Sequence, residues 1–328
     1  MVLTKAMSIN GGLENVNMHV LIMGGLGFIG SHICRRLLYE GCSIRIFDKL
    51  YGSRHLIGDI ENQVEIDEGD AERPQAVIKA LRDVDMVIDL VHTTLPSVSM
   101  QNPAYDVQSN VISHASWLSQ LNKTKIRRII YISSGGTVYG IPKNNPIKED
   151  HPTDPISSYG VTKLTIEKYV TMYAKAYGID YRICRPANIY GEGQRLHVGQ
   201  GVVGVFLERC LKGQPIEIWG DGTVSRDFLY IDDMVEAVVR LMVHEGASSI
   251  FNISSGVGYS VNHIVSIIQN ELKLPVDVRY MASRSFDVPI NILDNSQLKK
   301  ETGWQPKTDL ISGIWRVYHY LNSSLKLV

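Results

Sequence analysis

The sequence is poor in what several functional classes need. It holds four cysteines, Cys34, Cys42, Cys184 and Cys210, and no two of them make a CxxC pair, so a zinc site is not expected. Scattered thiols suit a reducing compartment, and the expected location is the cytoplasm. The formal net charge is −1, which leaves no basic excess to hold a nucleic acid. No apolar run is long enough to span a bilayer, so no membrane partner is expected. The first seventeen residues lack the apolar core and small-residue cleavage site of a secretory signal. With Gly11 and Gly12 among polar neighbours, residues 1–17 read as a flexible extension. What remains is 44% hydrophobic and 20% charged over 328 residues, enough for one large domain or two smaller ones.

Organisation begins at His19. Short apolar runs at His19–Met23, Ser43–Phe47, Val64–Ile66, Met86–Leu90, Arg128–Ile132 and Tyr181–Cys184 read as strands. Between them, Phe28–Glu40, Pro74–Leu81, Pro103–Leu121 and Ser157–Tyr177 carry helical spacing. This alternation predicts an α/β fold, a doubly wound parallel sheet with helices on both faces. From about Gly191 the rhythm breaks. Helices are expected at Asp232–His244 and Val261–Leu272, with a strand at Ile250–Ile253 between them. The expected division is a dinucleotide-binding domain of the Rossmann type over residues 18–190 and a smaller mixed α/β lobe for substrate over 191–328. Some segments of the lobe are allowed to return to the main sheet.

The first strand runs into Gly24-Gly25-Leu26-Gly27-Phe28-Ile29-Gly30, which contains a GxGxxG. Glycine turns are common, but this one follows a strand and opens a helix, as a dinucleotide site requires. The glycines permit a tight turn and close approach to a pyrophosphate, and the helix N-terminus faces the phosphates with its partial positive charge. Asp48 ends the next strand, where a carboxylate holds the adenosine ribose hydroxyls. It repels a 2′-phosphate, so NAD is expected over NADP, a preference that Lys49 softens.

Tyr159-Gly160-Val161-Thr162-Lys163 is a YxxxK at a helix start, and residues four apart share a helical face. A phenol is a poor base at its ordinary pKa of about 10, and a nearby ammonium favours the phenolate. The pair points to Tyr159 as general base with Lys163 as its electrostatic partner. Against this stands a plain exposed helix pair, since YxxxK recurs by chance. Upstream, Ser133-Ser134-Gly135-Gly136-Thr137-Val138-Tyr139-Gly140 follows a strand, where hydroxyls reach a ligand lying over the sheet edge; a Ser/Gly-rich turn is the plainer alternative.

Taken together, the glycine loop, Asp48, SSGGTVYG and YGVTK resemble the extended short-chain dehydrogenase/reductase family, in particular its UDP-glucose 4-epimerase branch of NAD-dependent epimerases and dehydratases. The likeness runs from about His19 to near the C-terminus. It implies cofactor contacts at Gly24, Gly27, Phe28, Ile29, Asp70 with Ala71, the loop Leu90, Val91 and His92, Asn110, Ser133 and Pro186, besides Asp48, Tyr159 and Lys163. It implies substrate contacts at Asn188 in RPANIYG and Arg226 in DGTVSRDF, both near the diphosphate. Arg284 and Asp287 in RSFD fall on phosphate and ribose, and Asn291 beside the sugar's 2-substituent. Two arginines converging on one anion make chemical sense, because charge-assisted bonds to phosphate are strong. One departure concerns Gly135, which stands where the family's epimerases carry Ser or Thr; Thr137, or Ser134, is expected to supply the missing hydroxyl. Another is that the acidic pair of the family's dehydratases is replaced by Gly136-Thr137, which disfavours dehydration.

The resemblance implies a nucleotide-sugar 4-epimerase that keeps NAD bound and acts on a UDP-hexose or UDP-N-acetylhexosamine through a 4-keto intermediate. Polysaccharide precursor synthesis is the implied setting. The alternatives are an NAD-dependent nucleotide-sugar oxidoreductase or decarboxylase on the same fold, or a non-catalytic NAD-binding sensor. A homodimer is expected, paired through Pro103–Leu121 and Ser157–Tyr177, with Trp117, Leu118, Leu121, Leu164, Tyr169 and Met172 as its apolar face.

Overall fold

The computed structural model describes residues 18–49, 54–196, 201–283 and 288–325. The extension expected over residues 1–17 lies outside the described residues. The strands, in chain order, are β1 (His19–Met23), β2 (Ser43–Asp48), β3 (Glu65–Glu68), β4 (Met86–Asp89), β5 (Arg128–Ile132), β6 (Asp180–Pro186), β7 (Asn188–Tyr190), β8 (Ile216–Trp219), β9 (Ser225–Tyr230), β10 (Ile250–Ile253), β11 (Gly258–Ser260), β12 (Val278–Met281) and β13 (Ile290–Asn291). Seven of them form the main sheet in the order β10-β6-β5-β4-β1-β2-β3, and β1 to β6 pair in parallel. The strand order reverses between β1 and β4. Such a reversal opens a crevice beyond the strands' carboxyl ends, where open α/β sheets bind ligands.

Two compact units emerge. The first comprises the chain to Tyr139, Thr153–Arg185 and Val235–Phe251; the second comprises Gly140–Pro152, Pro186–Met234 and the chain from Asn252. The division therefore falls at several points along the chain, not only near residue 190. The first unit's core is made by strand residues Leu21, Met23, Val87, Ile129 and Tyr131 with Trp117, Leu118, Ile166, Val170 and Ala174 from the helices. These strands are apolar on both faces because helices cover both sides of a parallel sheet. All four cysteines are free and buried. Burial pushes the Cys34 and Cys184 thiols up to about 12.

Local chemistry fixes the helix ends that matter. Ser157 accepts a hydrogen bond from the Gly160 amide (3.2 Å) and so starts the helix Ser158–Tyr177, and Gly178 ends it with φ +68°. The sequence predicts one helix over Pro103–Leu121, but the structure breaks it. Regular turns at Pro103–Asp106 and Ser113–Leu118 flank a π-helical stretch, Val107–Ile112. Inside that stretch Asn110 Nδ2 donates to the Asp106 carbonyl (3.0 Å) and Ser109 Oγ to the Tyr105 carbonyl (2.7 Å). Side chains bonding to i−4 carbonyls compete with the helical ladder, and π turns of this kind recur at functional sites.

The expected dimer face needs correcting. Trp117, Leu118 and Leu121 are at most 1% exposed, because they fill the first unit's own core, where Tyr169 also packs. Met172 is exposed, and so are Ile112 and Val161 on the same two helical stretches.

Candidate active site

The site is built around the switch point. The β1 turn places Gly24 at φ +86°, a left-handed conformation open to glycine, and Gly24 lies against Leu90 on the loop after β4. A Cβ on Gly30 would stand 2.3 Å from the Gly24 carbonyl oxygen, so only glycine lets the helix Phe28–Tyr39 pack this close to the turn. Asp48 reaches back to the same turn: its Oδ2 accepts from the Leu26 amide (3.0 Å) and its Oδ1 from the Lys49 amide (2.8 Å). The Lys49 ammonium pairs with Asp70 and Glu72, each at 3.6 Å. Its charge is thus shared with two other carboxylates. Asp70 accepts from the Glu72 amide and Ala71 accepts from Ser113 Oγ, which ties this edge to the helices behind it.

After β4, the Leu90–Thr93 loop is pinned by Asn110, whose Oδ1 accepts from the Thr93 amide (2.8 Å) while Nδ2 donates to Asp106 Oδ1 (2.9 Å). Asp106 is fully buried. Thr94 Oγ1 (2.5 Å) and Ser158 Oγ (2.6 Å) also donate to its carboxylate, with Thr162 Oγ1 at 3.3 Å and His92 Nε2 at 3.5 Å. Against the cost of burial, these partners hold the Asp106 carboxyl well below the usual carboxylate range.

Tyr159 and Lys163 lie on the helix Ser158–Tyr177, one turn apart. The Tyr159 ring meets the His92 ring edge-on, with centroids 4.5 Å apart. Lys163 is buried. Its Nζ donates to the Ile132 carbonyl at the end of β5 (2.9 Å) and sits 5.0 Å from the Tyr131 ring centre and 6.0 Å from that of Tyr159. Burial brings this ammonium down to about 8, although Asp89, Glu167 and Asp106 all oppose the drop. The expectation of a phenol lowered by its lysine is overturned for the protein alone. Burial, reinforced by the Asp106 carboxylate, pushes the Tyr159 phenol above its ordinary range. The physical reason is that the phenol is sealed from water, which disfavours the phenolate, with a buried carboxylate rather than a cation as the charge acting on it.

The hydroxyl loop after β5 divides its labour. Ser133 Oγ donates to Glu167 (2.5 Å), which forms a buried ion pair with Arg185 (2.7 Å); Arg185 in turn donates to the Tyr139 hydroxyl (2.9 Å). Ser133 is therefore engaged from behind. Thr137 Oγ1 is buried and meets no hydrogen-bond partner among the described residues, while the Ser134 carbonyl accepts from the Thr137 and Val138 amides. A Cβ on Gly160 would stand 2.7 Å from the Thr137 carbonyl, so the glycine inside YGVTK is what seats this loop on the helix. Sequence reasoning passed over Gly160, and also Asp106, Ser158 and Thr162. A polar run at the start of an otherwise apolar helix was the available signal.

The second unit gathers three of the expected substrate residues on one small sheet. Asn188 pairs with Phe228, and Asn291 with Arg226, as register partners on strands flanking β9. Registered partners and i, i+2 neighbours share a sheet face, so Asn188, Arg226 and Asn291 lie on the same side. Asn188 Nδ2 donates to the Asp227 carbonyl (3.1 Å), and Arg226 Nη1 to the Ser225 and Val288 carbonyls (2.9 and 2.5 Å). Asn291 is 1% exposed. Asp227 is buried on the opposite face and accepts from Ser255 and Gly256, bracing the sheet. Arg284 and Asp287 lie outside the described residues. Pro186 ends β6. Among the described residues no group of three or more His, Cys, Asp or Glu gathers to hold a metal, and no helix is long and apolar enough to cross a membrane.

Comparison with known proteins decides the family. The sequence profile of the NAD dependent epimerase/dehydratase family matches residues 20–254. The chain belongs to that family. It is an NAD-dependent enzyme of the epimerase type. A UDP-glucose 4-epimerase of Mycolicibacterium smegmatis is 31% identical over 93% of this chain and 99% of its own. A crystal structure of the Thermotoga maritima UDP-glucose 4-epimerase with UDP-glucose superposes with a TM-score of 0.88 at 32% identity, over 94% of this chain and all of that one. A dTDP-4-dehydro-6-deoxyglucose reductase of Escherichia coli is 30% identical over 90% and 95% of the two chains. A doubly wound parallel sheet and NAD as cofactor, both expected from the sequence, agree with this membership.

Two outcomes test the site. Tyr159→Phe keeps the ring and removes the ionisable oxygen; turnover should fall by at least ~10²-fold, with NAD binding and melting temperature near those of the wild type. Near-normal turnover would reject Tyr159 as the base. The Lys163 amine, at about 8 in the folded chain against an ordinary 10.5, binds fewer protons than in the unfolded chain between those values. Stability of the nucleotide-free protein should therefore rise with pH from about 8 to 10.5 on this group's account. Below that window the buried charge costs on the order of 3 kcal/mol, so Lys163→Met should melt higher at pH 7 and lose that advantage by pH 10.5. Thermal scans across pH check this, and a variant that melts lower at pH 7 contradicts it.

Proposed function

We propose that the chain is a nucleotide-sugar 4-epimerase, with a UDP-hexose or UDP-N-acetylhexosamine as substrate, inverting C4 through a 4-keto intermediate. The observation that carries the reading is that Tyr159 and Lys163 stand together on one helix, with Lys163 on the last carbonyl of β5 near the β1–β4 switch point, and that the loop carrying Thr137, whose Oγ1 meets no partner among the described residues, sits on that helix at Gly160. Asp48 and the glycine turn suit the adenosine end of NAD, whose bound form supplies the hydride acceptor and donor at the sugar's C4. Tyr159 takes the proton of the 4-hydroxyl and returns it. Its phenol sits high in the protein alone; the positive charge of an oxidised nicotinamide, when bound, would bring it into range, and loss of that charge on reduction would raise it again, so that the phenol keeps the proton it has taken. Thr137 Oγ1 holds the 4-oxygen in place of the hydroxyl missing at Gly135, with Ser134 beside it. Asn188 and Arg226 anchor the diphosphate, with Arg284 and Asp287 proposed to assist on phosphate and ribose. Tight anchoring there lets the sugar turn over at the reactive end.

The absent hydroxyl at Gly135 and the similarity to a reductase favour a second reading, a 4-keto sugar reductase that consumes reduced cofactor. Incubation with UDP- and TDP-sugars without added NAD separates the two. C4 inversion seen by NMR supports the epimerase; turnover only on a 4-keto sugar with stoichiometric NADH oxidation supports the reductase.

Asn291 sets substrate size in this reading. It offers a donor and an acceptor on a short side chain, leaving room for a 2-acetamido group. Asn291→Tyr should suppress epimerisation of UDP-GlcNAc more than that of UDP-Glc; equal loss of both rejects the role. The assembly we infer is a homodimer across the two helical stretches that expose Ile112, Val161 and Met172. Light scattering should give twice the chain mass at micromolar concentration, and Met172→Glu with Ile112→Glu should give the monomer. A wild-type monomer rejects it.

A further inference from the structure

His92 is a buried imidazole with one nitrogen accounted for and one not. Its side chain is 5% exposed. It sits on the loop after β4 that lies against the glycine turn, with its ring against Tyr159. Nε2 is 3.5 Å from Asp106 Oδ1 and 3.5 Å from Thr162 Oγ1. The Thr162 hydroxyl has the Tyr159 carbonyl (3.0 Å) and Asp106 Oδ2 (3.3 Å) as acceptors for its single hydrogen, so it presents oxygen lone pairs to the ring. A carboxylate and a hydroxyl oxygen on one side place the imidazole proton on Nε2. In a neutral ring the other nitrogen is then an acceptor. That atom, Nδ1, is buried and meets no hydrogen-bond partner among the described residues. The ring stays neutral at ordinary pH, because burial and the Lys163 charge bring it down to about 4.

A buried acceptor left unmet costs free energy unless a ligand meets it. We infer that His92 Nδ1 is a binding atom of the site, accepting a hydrogen bond from an O–H or N–H donor of the bound ligand, with Asp106 as the positioning residue that fixes its tautomer. The donor class is a neutral hydroxyl or primary amide. The nicotinamide nucleotide carries both on its ribose and carboxamide, and the sugar carries hydroxyls; cofactor is the source expected here, since the loop borders the glycine turn. This inference rests on the proposed function for the identity of the ligands and adds an atom-level contact to it.

The test compares His92→Asn, His92→Gln and His92→Phe. Asparagine returns a polar group near the Nδ1 position, glutamine places it near Nε2, and phenylalanine keeps the ring's bulk with no acceptor. NAD affinity is read by calorimetry on nucleotide-free protein, alongside kcat and KM for the sugar. Asparagine should stay within about threefold of wild type, while glutamine and phenylalanine lose about tenfold, the effect of one hydrogen bond. If NAD affinity holds and KM for the sugar rises instead, in the same order of variants, the donor is a sugar hydroxyl and the acceptor role stands. Wild-type protein with ¹⁵N-labelled histidine supplies a readout independent of folding: the His92 Nδ1 resonance should be that of an unprotonated nitrogen and should shift when its donor binds. Phenylalanine behaving as wild type in both affinities, or an Nδ1 that is protonated or unmoved by NAD and by sugar nucleotide, overturns the inference. Wild-type failure to bind NAD at all would instead count against the proposed function.

Discussion

A lysine ammonium sealed at the end of the main sheet sets the terms for the whole site. Lys163 has the Ile132 carbonyl, the Tyr131 ring and the fields of Asp89, Glu167 and Asp106 in place of water. An unpaired buried charge would shed its proton, so the surrounding carboxylates keep it ionised near neutrality. Each of those carboxylates is tied to an element that positions something else. Asp106 anchors the π stretch and, through Asn110, the loop after β4. Glu167 holds Ser133 and Arg185. Asp89, at the end of β4, pairs with buried His114 (2.9 Å). Burial, with Asp106 among those charges, also holds the phenol of Tyr159 high, so in the protein alone the phenol keeps its proton.

That arrangement gives redox state a lever on proton transfer. A positive charge arriving beside Tyr159 lowers the cost of the phenolate, and its disappearance on reduction raises that cost again. In the proposed reaction, proton and hydride movements would be coupled by electrostatics. There Thr137 would take the place of the hydroxyl missing at Gly135: its Oγ1 is buried and meets no hydrogen-bond partner among the described residues, and Gly160 lets that loop sit directly on the helix Ser158–Tyr177.

Much of the main sheet was legible because its signals are local. β1, β5 and β10 begin and end where apolar runs predict, and the helix Ser158–Tyr177 differs by one residue at its start. Gly24, Gly30, Asp48, Tyr159 and Lys163 follow from spacing and chemistry together. What escaped depends on contacts distant in sequence. The helix over Pro103–Leu121 reads as regular until Ser109 and Asn110 bond to carbonyls within it, and they do so because Asp106 and Thr93 hold them there. Trp117, Leu118 and Leu121 look like an interface by composition, yet Ile166, Val170 and Ala174 cover them within the unit. The second unit's short strands β8, β12 and β13 carry few residues each, too few for periodicity to separate them from loop. The elevation of the Tyr159 phenol was not readable from YxxxK, since it comes first from burial by the fold and then from a buried carboxylate more than fifty residues upstream.

The central claim, that the phenol of Tyr159 is high in the protein alone and is brought down by the charge of the oxidised cofactor, has a direct measurement. Tyrosinate absorbance is followed against pH for wild type and Tyr159→Phe, each saturated first with NAD⁺ and then with NADH. The wild-type minus variant difference isolates one phenol. It should ionise at distinctly lower pH with NAD⁺ than with NADH. A single midpoint for both cofactor states, or one at the ordinary value of about 10, would contradict the account.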